Sequence, residues 1–185
     1  MTSAQDHKRA MDGDKGLNTG GMGTFSPSPF YTKEVDEFCK QHVYQATVDA
    51  MAAEGRPFVG IIFFGLMLTA EGPKVLEYNA RFGDPEAQVV LPRMKNDIIE
   101  VMEACVNGTL DQVDLQFEDN AAVCVVLASD GYPVKIRKKV FQSMDLRILR
   151  TKTDITVSMR ELNLKMERSL QTVDVFLASL PKERH

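Results

Sequence analysis

The sequence predicts an α/β or α+β fold, an antiparallel sheet covered by helices. Three observations predict it. Val35, Phe38, Cys39, His42, Val43 and Ala46 recur at helical spacing, as one buried helix face requires. Two apolar runs, residues 58–68 and 74–79, flank Gly-Pro turn chemistry and read as a hairpin. Residues 121–128, A-A-V-C-V-V-L-A, read as a further buried strand.

In chain order, residues 5–29 are rich in Gly, Pro, Ser, Asp and Asn without sustained periodicity and are expected to be loop. Thr32 is placed to cap a helix that runs to about Ala53, where Gly55 and Pro57 stop it. Residues 58–68 are expected to be a buried strand, returning through a turn at 69–73 into residues 74–79. Pro85 fits the first turn of a helix behind Asp84. Another helix is expected from about Asp97 to Val106, closed by Asn107-Gly108. The strand at 121–128 ends in a Gly131-Tyr132-Pro133 turn. Beyond it the texture changes. Residues 140–185 scatter Lys, Arg, Thr and Met with weak helical periodicity, and nothing there pairs with the pattern upstream.

Composition excludes several classes. With 185 residues the chain can bury a real core. A formal charge of −4 leaves no basic footprint for nucleic acid. No apolar run approaches the ~20 residues of a membrane span, and the start, M-T-S-A-Q-D-H-K-R, has no apolar signal segment. Three distant cysteines, Cys39, Cys105 and Cys124, fit neither a disulfide framework nor a zinc site. They suit core filling in a reducing cytoplasm.

The chemistry concentrates in V-L-E-Y-N-A-R-F-G-D-P-E, residues 75–86. On a strand, residues two apart share a face, so Glu77, Asn79 and Arg81 would project together while Leu76 and Tyr78 face the other side. Two oxygen ligands beside a guanidinium suit Mg²⁺ held against phosphate. The structural alternative is a Glu77–Arg81 salt bridge with Asn79 in a turn. A second stretch, residues 12–23, reads D-G-D-K-G-L-N-T-G-G-M-G. It lacks the ligands of a calcium loop at its fifth and twelfth positions, and it is no P-loop. It remains a glycine-rich loop with two aspartates, able to wrap a small anionic or amine-bearing ligand or to serve as a surface connection. Asp6, His7 and Lys8 are either a phosphate-contacting cluster or a solvated turn. His42 falls on the apolar helix face, His185 is terminal, and no nucleophilic triad can be assembled.

These motifs resemble a known family. Q-D-H-K-R, then D-G-D-K-G-L-N-T-G-G-M-G-T-F-S-P-S-P, V-G-I-I-F-F-G-L-M-L and L-E-Y-N-A-R-F-G-D-P-E are similar to phosphoribosylamine–glycine ligases, the glycinamide ribonucleotide synthetases of purine biosynthesis. These are ATP-grasp enzymes. The resemblance runs from Gln5 to about Lys138. It implies that ATP phosphorylates the carboxylate of glycine and that the amine of 5-phosphoribosylamine attacks the acyl phosphate, giving glycinamide ribonucleotide, ADP and phosphate. It implies Mg²⁺ or Mn²⁺ on Glu77 and Asn79, with Arg81 bracing the transferring phosphoryl group. Substrate and phosphate contacts would come from Asp12, Asp14, Asn18, Thr19, Gly20, Gly21, Gly23 and Arg81. Asp84 joins Arg81 as a catalytic candidate, and Glu86 would help orient these groups.

By the same resemblance, residues 1–110 are expected to be the C-terminal part of the ATP-grasp domain, its larger lobe, and 111–139 the start of a C-terminal domain. Met1 falls within the family's sequence, so the chain is expected to lack the part that clamps adenine. Residues 140–185 are expected to be an out-of-frame tail. Back-translating residues 138–143 as AAA-AAG-GTT-TTC-CAA-TC and moving the frame back one nucleotide gives K-G-F-P-I, the family's continuation. The same offset over 157–180 yields F-H-A-G-T-K and N-G-G-R-V-L-G-V-T-A. Such a tail is expected to be poorly packed and to leave the strand at 121–128 with open edges. The expected function is thus a ligase fragment, inactive alone. A non-functional gene remnant, one half of a split enzyme completed by a separately encoded N-terminal fragment, and a bare ATP- or metal-binding module stand as alternatives.

Overall fold

The computed structural model describes residues 1–128 and 131–134, together with the backbone of Ile155–Arg160 and Val173–Leu180. The chain divides into two units. Met1–Pro27, Asp84–Arg93 and Glu118–His185 form the first, and Ser28–Gly83 with Met94–Phe117 the second.

The first unit is built on a five-stranded antiparallel sheet. Its strands are β1 (Gln5–Asp6), β4 (Gly23–Ser26), β7 (Ala121–Leu127), β8 (Ile155–Arg160) and β9 (Val173–Leu180), in the order β1-β4-β7-β9-β8. A separate hairpin pairs β2 (Arg9–Met11) with β3 (Lys15–Asn18). Residues 5–29, expected as loop, therefore contain four short strands. Runs of two to four residues are too short to display a period of two, and β4 takes its partner from β7, far along the chain. Glycine stands in β4 because a Cβ at Gly23 would lie 2.9 Å from the carbonyl oxygen of Cys124.

Register explains the core of this unit. Thr24 faces Cys124 and Ser26 faces Ala122 across β4 and β7, and all four are buried. Four small side chains in one patch allow the short helix α3 (Ala87–Val90) to lie close on both strands, burying Val89 and Val90. A 3₁₀ turn, Leu91–Arg93, follows. The buried Arg93 donates to Ser26 Oγ (2.7 Å), Thr2 Oγ1 (3.1 Å), the Glu118 carbonyl (3.1 Å) and Asn120 Oδ1 (3.2 Å). One guanidinium thus ties together the N-terminal segment, β4 and the approach to β7. Burial pushes its pKa below the usual arginine value.

The expected open edges of the strand at 121–128 are not found. β7 pairs with β4 on one side and with β9 on the other, Ala121 facing Leu180 and Leu127 facing Asp174. V-D-V-F-L-A-S-L is apolar and β-prone, and such a run satisfies an open edge whatever its origin. β8 pairs with the other edge of β9, and the rest of the expected tail lies outside the described residues.

In the second unit, Thr32 caps α1 (Lys33–Cys39) as expected, accepting from Val35 N. The helix then passes through a π-helical turn, Lys40–Tyr44, into α2 (Gln45–Ala53), and Gly55 stops it at φ 73°. The π turn rotates the face presented to the core. Cys39 is buried and Val43, Tyr44 and Thr47 are half-buried, whereas Phe38, His42 and Ala46 are exposed. The expected core position of His42 is therefore wrong. Its ring lies 4.7 Å from that of Phe38 on the outer side.

The hairpin forms from β5 (Phe63–Thr69) and β6 (Gly72–Asn79). β5 begins five residues later than the apolar run and is only half-buried, because β5 and β6 form a two-stranded sheet of their own. The last helix, α4 (Ile98–Asn107), has the expected ends. Asp97 accepts from Ile99 N at 2.8 Å, and Gly108 closes it at φ 69°.

Candidate active site

In the second unit, β6 carries the expected oxygen pair. Glu77 and Asn79 are two residues apart on one strand, opposite Gly65 and Phe63. Glu77 is exposed and Asn79 half-buried. The register slips by one residue at Gly65/Leu66, so Leu76 is an extra residue on β6. Such a bulge twists the strand and re-aims the side chains that follow. Leu76 and Tyr78 are 64% and 55% exposed, so both sides of this stretch face solvent. Gly65 has a specific role here. A Cβ on it would lie 2.8 Å from Glu77 Cγ, so glycine leaves the room in which the Glu77 side chain crosses its neighbour strand.

Arg81 does not share the strand face. β6 ends at Asn79, and the exposed Arg81 folds back, with Nη1 donating to the Phe82 carbonyl at 2.7 Å. Among the described residues Glu77 and Arg81 form no ion pair, so the purely structural reading of the pair fails. A carboxylate and a carboxamide oxygen with room for solvent suit a hard cation that keeps several waters, as Mg²⁺ does.

The remaining expected residues lie in the first unit. Asp12 and Asp14 occupy the exposed turn between β2 and β3, where Gly13 and Asp14 take φ of 69° and 56°. Asn18 ends β3 opposite Arg9 and is exposed. The chain then turns inward. Thr19 Oγ1 donates to the Lys8 carbonyl (2.9 Å) and accepts from Gly21 N (3.0 Å). Gly20 N donates to the Tyr132 hydroxyl at 3.3 Å. Gly21 is buried at φ 135°, where a Cβ would run into the Pro85 ring and lie 2.8 Å from Asp6 Oδ1. Asp84 is half-buried and accepts from Gln88 Nε2 at 3.3 Å. The glycine-rich stretch is thus a hairpin followed by a tightly held strap, rather than one open loop.

Two carboxylates stand out that the sequence reading left in the background. Asp6, read as part of a phosphate cluster or a solvated turn, has a side chain only 7% exposed and forms an ion pair with Lys8. Glu86 is 8% exposed. Burial raises the pKa of its carboxyl, and the neighbouring Asp6 charge raises it further. His7, by contrast, is exposed beside the ring of Phe25. Asp6 belongs to a two-residue strand and Glu86 to a Pro-Glu turn, so no local pattern marks either as buried.

Comparison with known proteins follows this geometry. Residues 1–87 match the phosphoribosylglycinamide synthetase, ATP-grasp (A) domain. The trifunctional purine biosynthetic protein adenosine-3 of Gallus gallus is 54% identical over 134 residues, 72% of this chain and 13% of that protein. The phosphoribosylamine–glycine ligase of Agrobacterium fabrum is 50% identical over 133 residues, 72% of this chain and 31% of that protein. A crystal structure of phosphoribosylamine–glycine ligase from Thermotoga maritima superposes with a TM-score of 0.69 at 29% identity, covering 94% of this chain and 42% of that one. The chain spans about a third or less of the length of these curated relatives. Through the matched stretch, with its antiparallel sheets and helices, the chain belongs to the phosphoribosylglycinamide synthetase family of ATP-grasp proteins.

Proposed function

We propose that this chain supplies part of the machinery of a cytoplasmic, ATP-dependent ligase that joins 5-phosphoribosylamine to glycine. The products are glycinamide ribonucleotide, ADP and phosphate. The observation that carries this reading is the Glu77–Asn79 oxygen pair on β6, cleared by Gly65. Glu77 and Asn79 would hold Mg²⁺ or Mn²⁺, which supplies charge neutralisation for nucleotide phosphate oxygens. Arg81 offers a planar, permanently charged fork to a phosphoryl or acyl-phosphate group just past the strand end. The strap from Thr19 to Gly23, with Asp12, Asp14 and Asn18 on the adjoining hairpin, is read as a contact for the small substrates, and Asp84, three residues after Arg81, as a further catalytic candidate. In phosphoryl transfer the protein's work is positioning and electrostatics, so displaced groups cost rate even where binding survives.

The chain alone is expected not to turn over, because its match spans only 31% of the length of the Agrobacterium fabrum ligase. A ligase assay with glycine, 5-phosphoribosylamine and ATP should show no product from the isolated chain. Product should appear once the preceding part of a family member is supplied as a separate polypeptide. Turnover by the isolated chain would refute this, and no product from the supplemented mixture would refute the ligase reading itself.

Residues 140–185 are read as an out-of-frame translation. The curated matches run over 133 and 134 residues of the 185, about the length of the stretch 5–138. A gene sequence in which no frame restores F-H-A-G-T-K downstream of Lys139 would sink this reading.

A further inference from the structure

We propose that Tyr44 is a positioning residue for the Glu77–Asn79 pair, holding the back of the hairpin that presents both side chains. The inference rests on the metal reading for what the pair binds, and on the second unit's own geometry for how the pair is held. Phe64 and Tyr78 are direct partners across β5 and β6, between the pairs Phe63–Asn79 and Gly65–Glu77. These three pairs are consecutive and lie on one side of the bulge. Successive strand residues point to opposite faces, so Phe64 and Tyr78 share the face behind Glu77 and Asn79. On that face the rings touch in series. The Tyr44 ring centroid lies 4.6 Å from that of Phe64, tilted by 52°, and Phe64 meets Tyr78 edge-on at 5.4 Å. Both spacings fall where aromatic pairs attract beyond their buried area.

The helix end of this stack is anchored. The Tyr44 and Tyr31 hydroxyls share a hydrogen bond of 2.6 Å, so the Tyr44 ring is fixed at both ends, on Tyr31 just ahead of the cap Thr32 and on Phe64. Burial raises both phenols, that of Tyr44 to about 12, so the bond between two neutral hydroxyls holds through the neutral range. Tyr44 is also the last residue of the π turn, Lys40–Tyr44. Such turns recur at functional sites and re-aim the side chains they carry. Here the residue they carry is the one that reaches β5.

The hairpin needs that support. β5 and β6 form a two-stranded sheet of their own, and two strands alone are marginal in water. Toward the turn, Met67 and Leu68 are exposed. The stack grips the other end, where Glu77 and Asn79 stand. Both oxygens ride on one strand, so their separation and aim follow the strand. A cation bound through two protein oxygens loses affinity when either is free to wander.

Two readouts test this on the whole chain. Mn²⁺ binding in the presence of ATP is followed by electron paramagnetic resonance, and amide hydrogen exchange is read by NMR without metal. Tyr44→Ala should weaken Mn²⁺ binding by about tenfold. It should also speed metal-free exchange at residues 63–65 and 77–79 by about tenfold. Tyr44→Phe keeps the ring and should stay within about threefold of the parent on both readouts. Val101→Ala removes buried methyl groups from α4 in the same unit. It should lower stability and leave Mn²⁺ affinity unchanged. If Tyr44→Ala does not fold, Phe64→Leu takes its place with the same expectations, since it keeps apolar bulk and removes both ring contacts. The proposal is overturned if Tyr44→Ala binds Mn²⁺ like the parent, if Tyr44→Phe loses as much as Tyr44→Ala, or if Val101→Ala does. Should the parent bind no Mn²⁺, the metal reading fails, and the metal-free exchange alone decides the positioning: unchanged exchange in Tyr44→Ala overturns it.

Discussion

The two units treat their oxygen ligands in opposite ways. On β6, Glu77 is exposed, with open strand on either side of it. In the first unit Asp6 and Glu86 are more than nine-tenths buried, under a helix and behind a glycine strap. An exposed carboxylate keeps its charge at little cost and can bind a hydrated cation reversibly. A buried one is expensive to ionise and is tolerated where a donor repays the desolvation.

The strongest way to break this comparison is to remove the scaffold of the buried half. Arg93→Ala strips four hydrogen bonds donated from a buried guanidinium, one of them to the fully buried Ser26, and should destabilise the first unit by about 3 kcal/mol or more. Urea denaturation monitored at Tyr132 would show it, and a loss under 1 kcal/mol would mean the cluster is not a linchpin. Gly21→Ala comes next. It combines a backbone at φ 135° with a clash against Pro85 and Asp6, for an expected loss of about 2 kcal/mol. The equivalent change in the exposed half should behave differently. Gly65→Ala pushes Glu77 aside, so Mn²⁺ affinity should fall by about tenfold. Stability should change by less than about 1 kcal/mol, because the hairpin packs little around it.

The smallest effect sharpens the comparison through pH. The folded state holds the Glu86 proton more tightly than the unfolded chain, since burial and then Asp6 raise its pKa above the ordinary 4.5. That contribution to stability is complete below the ordinary glutamate range and is lost as pH rises through the raised value. Glu86→Gln never ionises. It should therefore be more stable than the parent chain at neutral pH, and the advantage should vanish as pH falls below the ordinary glutamate range. Melting temperatures across that range test it, and a variant less stable at every pH would contradict the assigned burial cost.

Sequence reading succeeded where the cause is local. Thr32 and Gly55 bound the helix, Asp97 and Gly108 bound α4, and the pair at Glu77 and Asn79 follows from strand alternation alone. It failed where the cause is distant or is a single-residue irregularity. β1 and β4 are too short to announce themselves and depend on β7. The π turn at Lys40–Tyr44 carries His42 out of the core. The early end of β6, at Asn79, separates Arg81 from the face it was expected to share. Asp6 and Glu86 come from separate segments, and only the folded unit buries them together. The edge of β7 gives the sharpest lesson, because the β-prone V-D-V-F-L-A-S-L run pairs there although the sequence offered no reason to expect a partner.

The central claim is that Glu77 and Asn79 form the metal-holding corner of this chain. It is tested most directly by titrating the chain with Mn²⁺ in the presence of ATP, following the free ion by electron paramagnetic resonance. The parent chain should bind one Mn²⁺–nucleotide weakly, and Glu77→Ala should lose that binding while remaining folded by circular dichroism. Undiminished binding by a folded Glu77→Ala chain would contradict the account.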